Sequence, residues 1–480
     1  MPTEQLKTYR ILLVASVLLA AILLLWGLGS IPLLSYNEAR RALSTASMFT
    51  SGDWLLPRLN GELYLTKPPL FYWLEASASL VAGSVNEWTL RLPSAMAAAV
   101  TAILAYRFAH RHFGIWAALF TLQLLLANAS FALFARRAEI EMLLATLCFA
   151  SLLAALHYVL EEGRRYWLWL SYFLLGLGVL TKGPLVLIFV TLPLLVLAFF
   201  RRDTRTWQAL RDPLGWLIFV AVGGSWFFAV TWQEGMDIWR TTVRHDMLAK
   251  MYGHAGEPFY NYFLWYLSDF FPASLLLFVA PVATWRRWRQ ASTTLLPVVL
   301  AIALPFVLYT LFSDKHAKYL LPTYPWIAIL LGKRLAEVCE AVQARWQRVL
   351  MALSFLLLAG YGAFYAVAEA RVFDYRYVAL QGFQTWHQAH RELPLYGYRH
   401  LDERLLYYAG QNIPLLDDAA LQQLSKRGTS AYLLVEHDAK AAPALSVNCT
   451  IVEFNPYLKS RKALTVYGLG TACPAAQGTS

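Results

Sequence analysis

Charge is scarce in this sequence: Asp, Glu, Lys and Arg make up 15% of its 480 residues, while 58% are hydrophobic. Soluble globular domains carry about a quarter charged residues, so this balance excludes that class. Asp-x-Asp occurs nowhere, and with it goes the usual carboxylate pair that holds a metal on a nucleotide diphosphate. A nucleotide-sugar donor is therefore not expected. No glycine-rich phosphate loop opens a helix; Gly468-Leu469-Gly470 is followed by no helical pattern. The net charge of +11 is dispersed in short clusters rather than gathered in a stripe, which excludes nucleic acid as a partner and points to topology and membrane lipids.

What the chain has instead is long apolar runs. Ile11 to Leu28, Pro184 to Phe200 and Val349 to Ala368 are each long enough to cross a hydrocarbon core of about 30 Å. The first follows Lys7 and Arg10 and reads as a retained helix rather than a cleaved signal. Counted along the sequence, runs near 11–29, 88–106, 113–133, 141–160, 167–180, 184–200, 214–232, 261–284, 292–312, 319–332 and 349–368 predict a mostly α, polytopic fold of about eleven to thirteen transmembrane helices. With the N-terminus inside, the short basic connections fall on the cytoplasmic side: Arg107 and Arg111, Arg164 and Arg165, Arg201 to Arg211, Arg286 to Arg289, and Lys333 to Arg348. The opposite face receives loops 30–87 and 233–260, the corners at 134–140 and 313–318, the Thr181 to Gly183 turn, and everything from residue 370.

Residues 1–369 thus form a transmembrane domain and 370–480 a soluble outer module. Leu393 to Tyr398, Ala431 to Glu436, Thr450 to Phe454 and Ala463 to Tyr467 read as strands, with helices at Asp402 to Ala409 and Asp418 to Arg427, so the module is a small α/β unit. Cys449 and Cys473 lie in it, where they either pair or stay reduced; Cys148 and Cys339 read as free thiols.

Chemistry gathers on the outer face. In the first loop Ser35 and Glu38 fit a capping box for an amphipathic helix over 36–50, at whose start Asn37, Glu38, Arg40 and Arg41 cluster. Glu38 is either that cap or a functional acid. Ser51-Gly52-Asp53 is a turn, Asn60-Gly61 a hairpin turn, and Lys67-Pro68-Pro69 an extended segment entering an aromatic interfacial helix. Held between turn and prolines, Lys67 reads as a positioned cation rather than a headgroup anchor. The ARRAEIEM corner brings Arg136, Arg137, Glu139 and Glu141 to a helix mouth, where such charges face a polar cavity or one another. Lys315, His316, Lys318 and Tyr319 share a further corner suited to an anion such as phosphate. His254, with Arg244, His245, Asp246 and Glu257, lies in a loop that could hold a divalent metal ion, although the spacing matches no strong signature.

YNEARRA, SGDW, NGELYLTKPPLFYWL, ARRAEIEMLL, LGVLTKGP, HAGEPFYNYF, FFPASLL and SDKHAKYLLP, in this order, resemble the bacterial branch of the protein O-mannosyltransferase superfamily, nearest the lipid A aminoarabinose transferases (ArnT-like glycosyltransferases). The resemblance implies a GT-C fold in the bacterial inner membrane, a polyprenyl (undecaprenyl) phosphate-linked sugar donor, and a periplasmic acceptor such as lipid A or another envelope glycan. The family's acidic pair falls on Asn37 and Glu38, so the leading aspartate is an amide here. Its acid-lysine-proline signature falls on Thr66, Lys67 and Pro68, its arginine and aspartate on Arg136 and Glu141, its loop histidine on His254, and its lysine and tyrosine on Lys315 and Tyr319.

These residues suggest an inverting transfer. Lys67, Arg40, Arg136, Lys315 and Tyr319 are the expected donor-phosphate contacts, Glu141 and Glu38 the candidate bases, and Asn37, Arg137, Tyr64 and Lys318 the positioning groups. A lipid or sugar transporter without transferase chemistry is the competing class, but it would place ionisable residues near the midplane rather than at one face.

Overall fold

The computed structural model describes residues 3–161, 163–202, 204–239, 257–279, 294–372, 374–440, 445, 449–459 and 461–473. Helix α1 (Thr3–Leu25) leads into the first outer loop, where α2 (Tyr36–Ser51) starts at Ser35, whose hydroxyl accepts the Glu38 N–H, and stops at Gly52 with φ 72°. Strands β1 (Arg58–Leu59) and β2 (Glu62–Leu63) form the hairpin expected from Asn60-Gly61; both turn residues have positive φ. Then follow α3 (Leu70–Ala82), α4 (Glu87–Phe113), α5 (Ile115–Leu126), α6 (Ala129–Ala135), α7 (Ile140–Leu160) and α8 (Arg165–Lys182). Asn86 and Thr89 close a capping box at the start of α4, and His110, Arg111 and His112 sit in its last turn, where the helix dipole favours positive charge.

Among the described residues, five helices are long and apolar enough to cross a membrane, or six if α5 and α6, bent by 68°, make one broken span. Several expected spans are broken for local reasons. The run 113–133 divides at Asn128, whose side chain caps the Phe131 N–H at 2.9 Å. The run 184–200 divides into Val186–Phe189 and Thr191–Arg201, and 261–284 into Asn261–Asp269 and a 3-10 turn Ala273–Phe278 beyond Pro272. The run from 319 opens as a 3-10 turn, Ala317–Thr323, and continues as Tyr324–Ala341. That last helix packs closely on α5: a Cβ on Gly332 would lie 2.7 Å from the Thr121 nitrogen, so only glycine permits the approach.

The C-terminal part carries a five-stranded sheet in the order β4-β3-β5-β7-β6, from β3 (Leu395–Tyr398), β4 (Leu415–Leu416), β5 (Ala431–Asp438), β6 (Cys449–Phe454) and β7 (Lys462–Leu469). β3 runs parallel to both neighbours, while β5, β7 and β6 are antiparallel. Four strands lie where alternation placed them; β4, two residues long, and the preceding helix Asp374–Ala389 escaped it. Cys449 and Cys473 pair as a disulfide, whereas Cys148 and Cys339 are free and buried. The sheet and its helices rest on the first loop: Arg40 pairs with Glu403 at 2.7 Å, and Asn60 exchanges two hydrogen bonds with the Ile413 backbone.

Candidate active site

Four ionisable side chains from three elements converge beside the first loop. Glu141, in the first turn of α7, accepts from Lys182, the last residue of α8, at 3.2 Å; Lys318, on the 3-10 turn, reaches the same oxygen at 3.4 Å. Lys318 also contacts Glu139 at 3.3 Å, and Glu139 accepts the Ser35 hydroxyl at 2.9 Å. Both carboxylates are buried, with relative exposures of 6% and 5% for Glu139 and Glu141. Burial, then the charge of Glu141, pushes Glu139 above the usual carboxylate range, against Lys318. Burial would discharge Lys318, but Glu141 and Glu139 outweigh it and hold the ammonium protonated.

Arg41, buried on α2, acts on Glu141 through its charge, and donates to Tyr72 at 3.1 Å and Tyr64 at 3.5 Å. Burial opposes ionisation of Tyr64, yet Arg41 and a hydrogen bond with Thr66 bring its hydroxyl below the ordinary value. Lys67 adjoins this edge and donates to the Thr66 carbonyl at 3.2 Å. The Tyr319 ring stacks under Lys182 at 5.1 Å, and its hydroxyl donates to Asp314. Lysines and Arg41 thus gather around two buried carboxylates, Glu139 and Glu141, an arrangement suited to stabilising a departing phosphate while an acid orients a nucleophile.

Other expected site residues have different partners. Glu38 is fully buried and paired with Arg91 at 2.9 Å; its oxygens also accept the Leu34 and Ala138 N–H groups. Burial alone would raise its pKa, but Arg91 and then Arg137 bring it to about 2. Its carboxylate reaches the residue before the cap rather than the cap itself. Arg136 donates to the Leu23 and Trp26 carbonyls, where it terminates α1, and pairs with Glu369 at 3.2 Å; Arg137 shares that carboxylate at 2.9 Å. Arg40 is turned to Glu403, and Lys315 to the carbonyls of Phe312 and Glu257. These bonds occupy the groups expected on the donor phosphate at Arg40, Arg136 and Lys315. Asn37 is half-buried in the first turn of α2. His254 lies outside the described residues, among which no group of three or more His, Cys, Asp or Glu is placed to hold a metal.

Lys182 and Arg91 were not singled out from sequence. Lys182 had a signal: a lone lysine closing an apolar helix before glycine is costly in lipid unless it meets an acid. Arg91 looked like part of an ordinary helix, because its partner lies 53 residues away.

Residues 66–232 match the family model described as dolichyl-phosphate-mannose-protein mannosyltransferase. The chain superposes on ArnT from Cupriavidus metallidurans, solved bound to undecaprenyl phosphate, with a TM-score of 0.76 at 20% identity, covering 97% of this chain and 98% of that one. This chain has the ArnT fold. The same fold extends less closely to the Archaeoglobus fulgidus oligosaccharyltransferase, with a TM-score of 0.56 at 10% identity over 89% of this chain and 69% of the other. In sequence the chain is 32% identical to the undecaprenyl phosphate-alpha-4-amino-4-deoxy-L-arabinose arabinosyl transferase of Pseudomonas aeruginosa strain UCBPP-PA14, over 63% of this chain and 55% of the relative. The Pseudomonas savastanoi pv. phaseolicola protein of that name is 30% identical over 70% of this chain and 63% of its own. The match thus spans about half the length of the first relative. The motif resemblance and the superposition agree on the ArnT fold.

Proposed function

We propose that this protein is an integral-membrane glycosyltransferase that moves a sugar from a polyprenyl phosphate, undecaprenyl phosphate in a bacterium, to an envelope acceptor such as lipid A, with inversion at the anomeric carbon. The observation that carries the reading is the cluster of the buried Glu141 and Arg41 with the half-buried Lys182 and Lys318 at one end of the helix bundle. Lys182, Lys318, Lys67 and Arg41 stabilise the leaving phosphate, with Tyr319 and Tyr64 as hydroxyl partners. Glu141 orients the attacking acceptor group or takes its proton; Glu38 is a structural anion. The bond from anomeric carbon to phosphate oxygen breaks as that from acceptor oxygen to anomeric carbon forms, and the proton leaves toward Glu141.

The cluster and the C-terminal module face the periplasm, because the basic ends of the helices then lie inside. The span count is eleven to thirteen, including broken helices. A reporter fused after residue 369 should be active only when exported. For the activity, purified protein in nanodiscs is given synthetic polyprenyl phosphate sugars and an envelope glycolipid, with products followed by mass spectrometry. Release of polyprenyl phosphate with a mass gain on the acceptor is expected; no transfer to any acceptor from any polyprenyl phosphate sugar overturns the reading.

A further inference from the structure

A polar cavity of about 660 Å³ lies between the first loop and the C-terminal module. Helix α2 separates it from the Glu141 cluster. Arg41 and Thr45, four residues apart, face the protein interior, whereas Leu43, Ser47 and Thr50 on the opposite side line the cavity. The hairpin, the start of α4 and the module's helices Asp374–Ala389 and Glu403–Ala409 complete the walls.

The seam is fixed before any ligand arrives. Asn60 clamps the Ile413 backbone at 2.7 and 2.8 Å, and the Tyr408 hydroxyl donates to Glu87 at 2.7 Å while accepting the Leu33 N–H at 2.8 Å. Within these walls His387 is 3% exposed and stacked on Phe383, and neither ring nitrogen has a hydrogen-bond partner among the described residues. The Ala409 carbonyl stands near the ring and could serve at most one of its two nitrogens, which leaves the other without a partner. A buried imidazole left unbonded is costly, and a ligand hydroxyl or phosphate oxygen in the cavity would satisfy it. Around it stand Arg58 and Arg391, the amides of Gln388 and Asn412, and the Tyr407 ring. Arg58 donates to the Gly61 carbonyl at 3.1 Å through one of its three nitrogens. Two guanidiniums, amides and an aromatic wall match an anionic carbohydrate.

We propose that this cavity binds the phosphorylated saccharide head of the acceptor, so that the acceptor is gripped by the module while its reacting group reaches the cluster beyond α2. The proposal rests on the transferase reading above. It is tested without donor, on the full-length protein in nanodiscs, by equilibrium dialysis of a labelled, deacylated glucosamine disaccharide bisphosphate. The unphosphorylated disaccharide and inorganic phosphate serve as competitors. His387→Phe keeps the shape and the stacking but removes both nitrogens, and Arg391→Ala changes an exposed side chain that the fold does not need. Saturable binding is expected, weakened at least tenfold in each variant, with both competitors displacing the probe poorly. In turnover the acceptor KM should rise while the donor KM and kcat hold. Failure of the wild type to bind, unchanged affinity in both variants, or equal displacement by phosphate alone overturns the proposal. Saturable binding without any transfer would instead count against the transferase reading and leave the cavity assignment standing.

Discussion

Glu141 and Lys182 meet at 3.2 Å across the junction of two helices, the acid in the first turn of α7 and the lysine closing α8. Each terminus supplies the dipole end that favours the charge it carries, so the two helix ends bring acid and base together at one place. Lys182→Ala should therefore lower turnover by about a hundredfold or more without reducing expression, the scale seen when one preorganised charge donor is removed. Near-normal turnover of the alanine variant at saturating donor would remove Lys182 from the site.

Glu141→Gln keeps shape and hydrogen bonding but removes basicity. Turnover should fall by about two orders of magnitude with donor binding retained, as measured by tritiated donor retention in nanodiscs. Loss of donor binding together with turnover would make Glu141 an anchor for the lysines instead.

Glu38→Gln should behave differently, because Glu38 is a buried counter-charge for Arg91 rather than a group facing a substrate. Breaking such a pair costs about 3–5 kcal/mol, so a large drop in the thermal midpoint is expected. The pH sign follows from the depressed pKa of about 2 against the ordinary 4.5. The stabilisation from Glu38 is fully present above pH 4.5 and is lost as pH falls toward 2. The wild type should lose stability through that window more steeply than the variant; parallel acid unfolding curves would contradict this.

Lys67 sits at the edge of the cluster, next to Thr66 and, through it, Tyr64 and Arg41. Lys67→Ala should abolish or severely reduce transfer at normal expression. Lys67→Arg should also be impaired, since a planar fork does not replace a compact ammonium in a tight pocket. Full rescue by arginine would indicate a surface charge effect only.

The Cys449–Cys473 disulfide closes a loop of 24 residues onto β6. Cys449→Ser with Cys473→Ser should lower stability by about 3 kcal/mol, visible as faster proteolysis of the C-terminal part while the membrane helices stay intact. Unchanged proteolysis would show the disulfide to be dispensable.

The sequence by itself determined whatever depends on neighbours a few residues away. Scarce charge and long apolar runs set the membrane class; Ser35 began α2, Asn60-Gly61 turned the hairpin, and alternation placed four of five module strands. Its ordered motifs also carried the scaffold resemblance. Tertiary structure decided what each charge does. Glu38 had two readings as a cap or an acid until Arg91 occupied it, and Arg136 and Arg137 found Glu369 more than two hundred residues on. Lys182 and Lys318 closed on Glu141 only once three helix ends came together. The physical reason is that a buried charge must meet a partner, and the demand is written at its own position while the answer lies wherever packing brings the opposite charge.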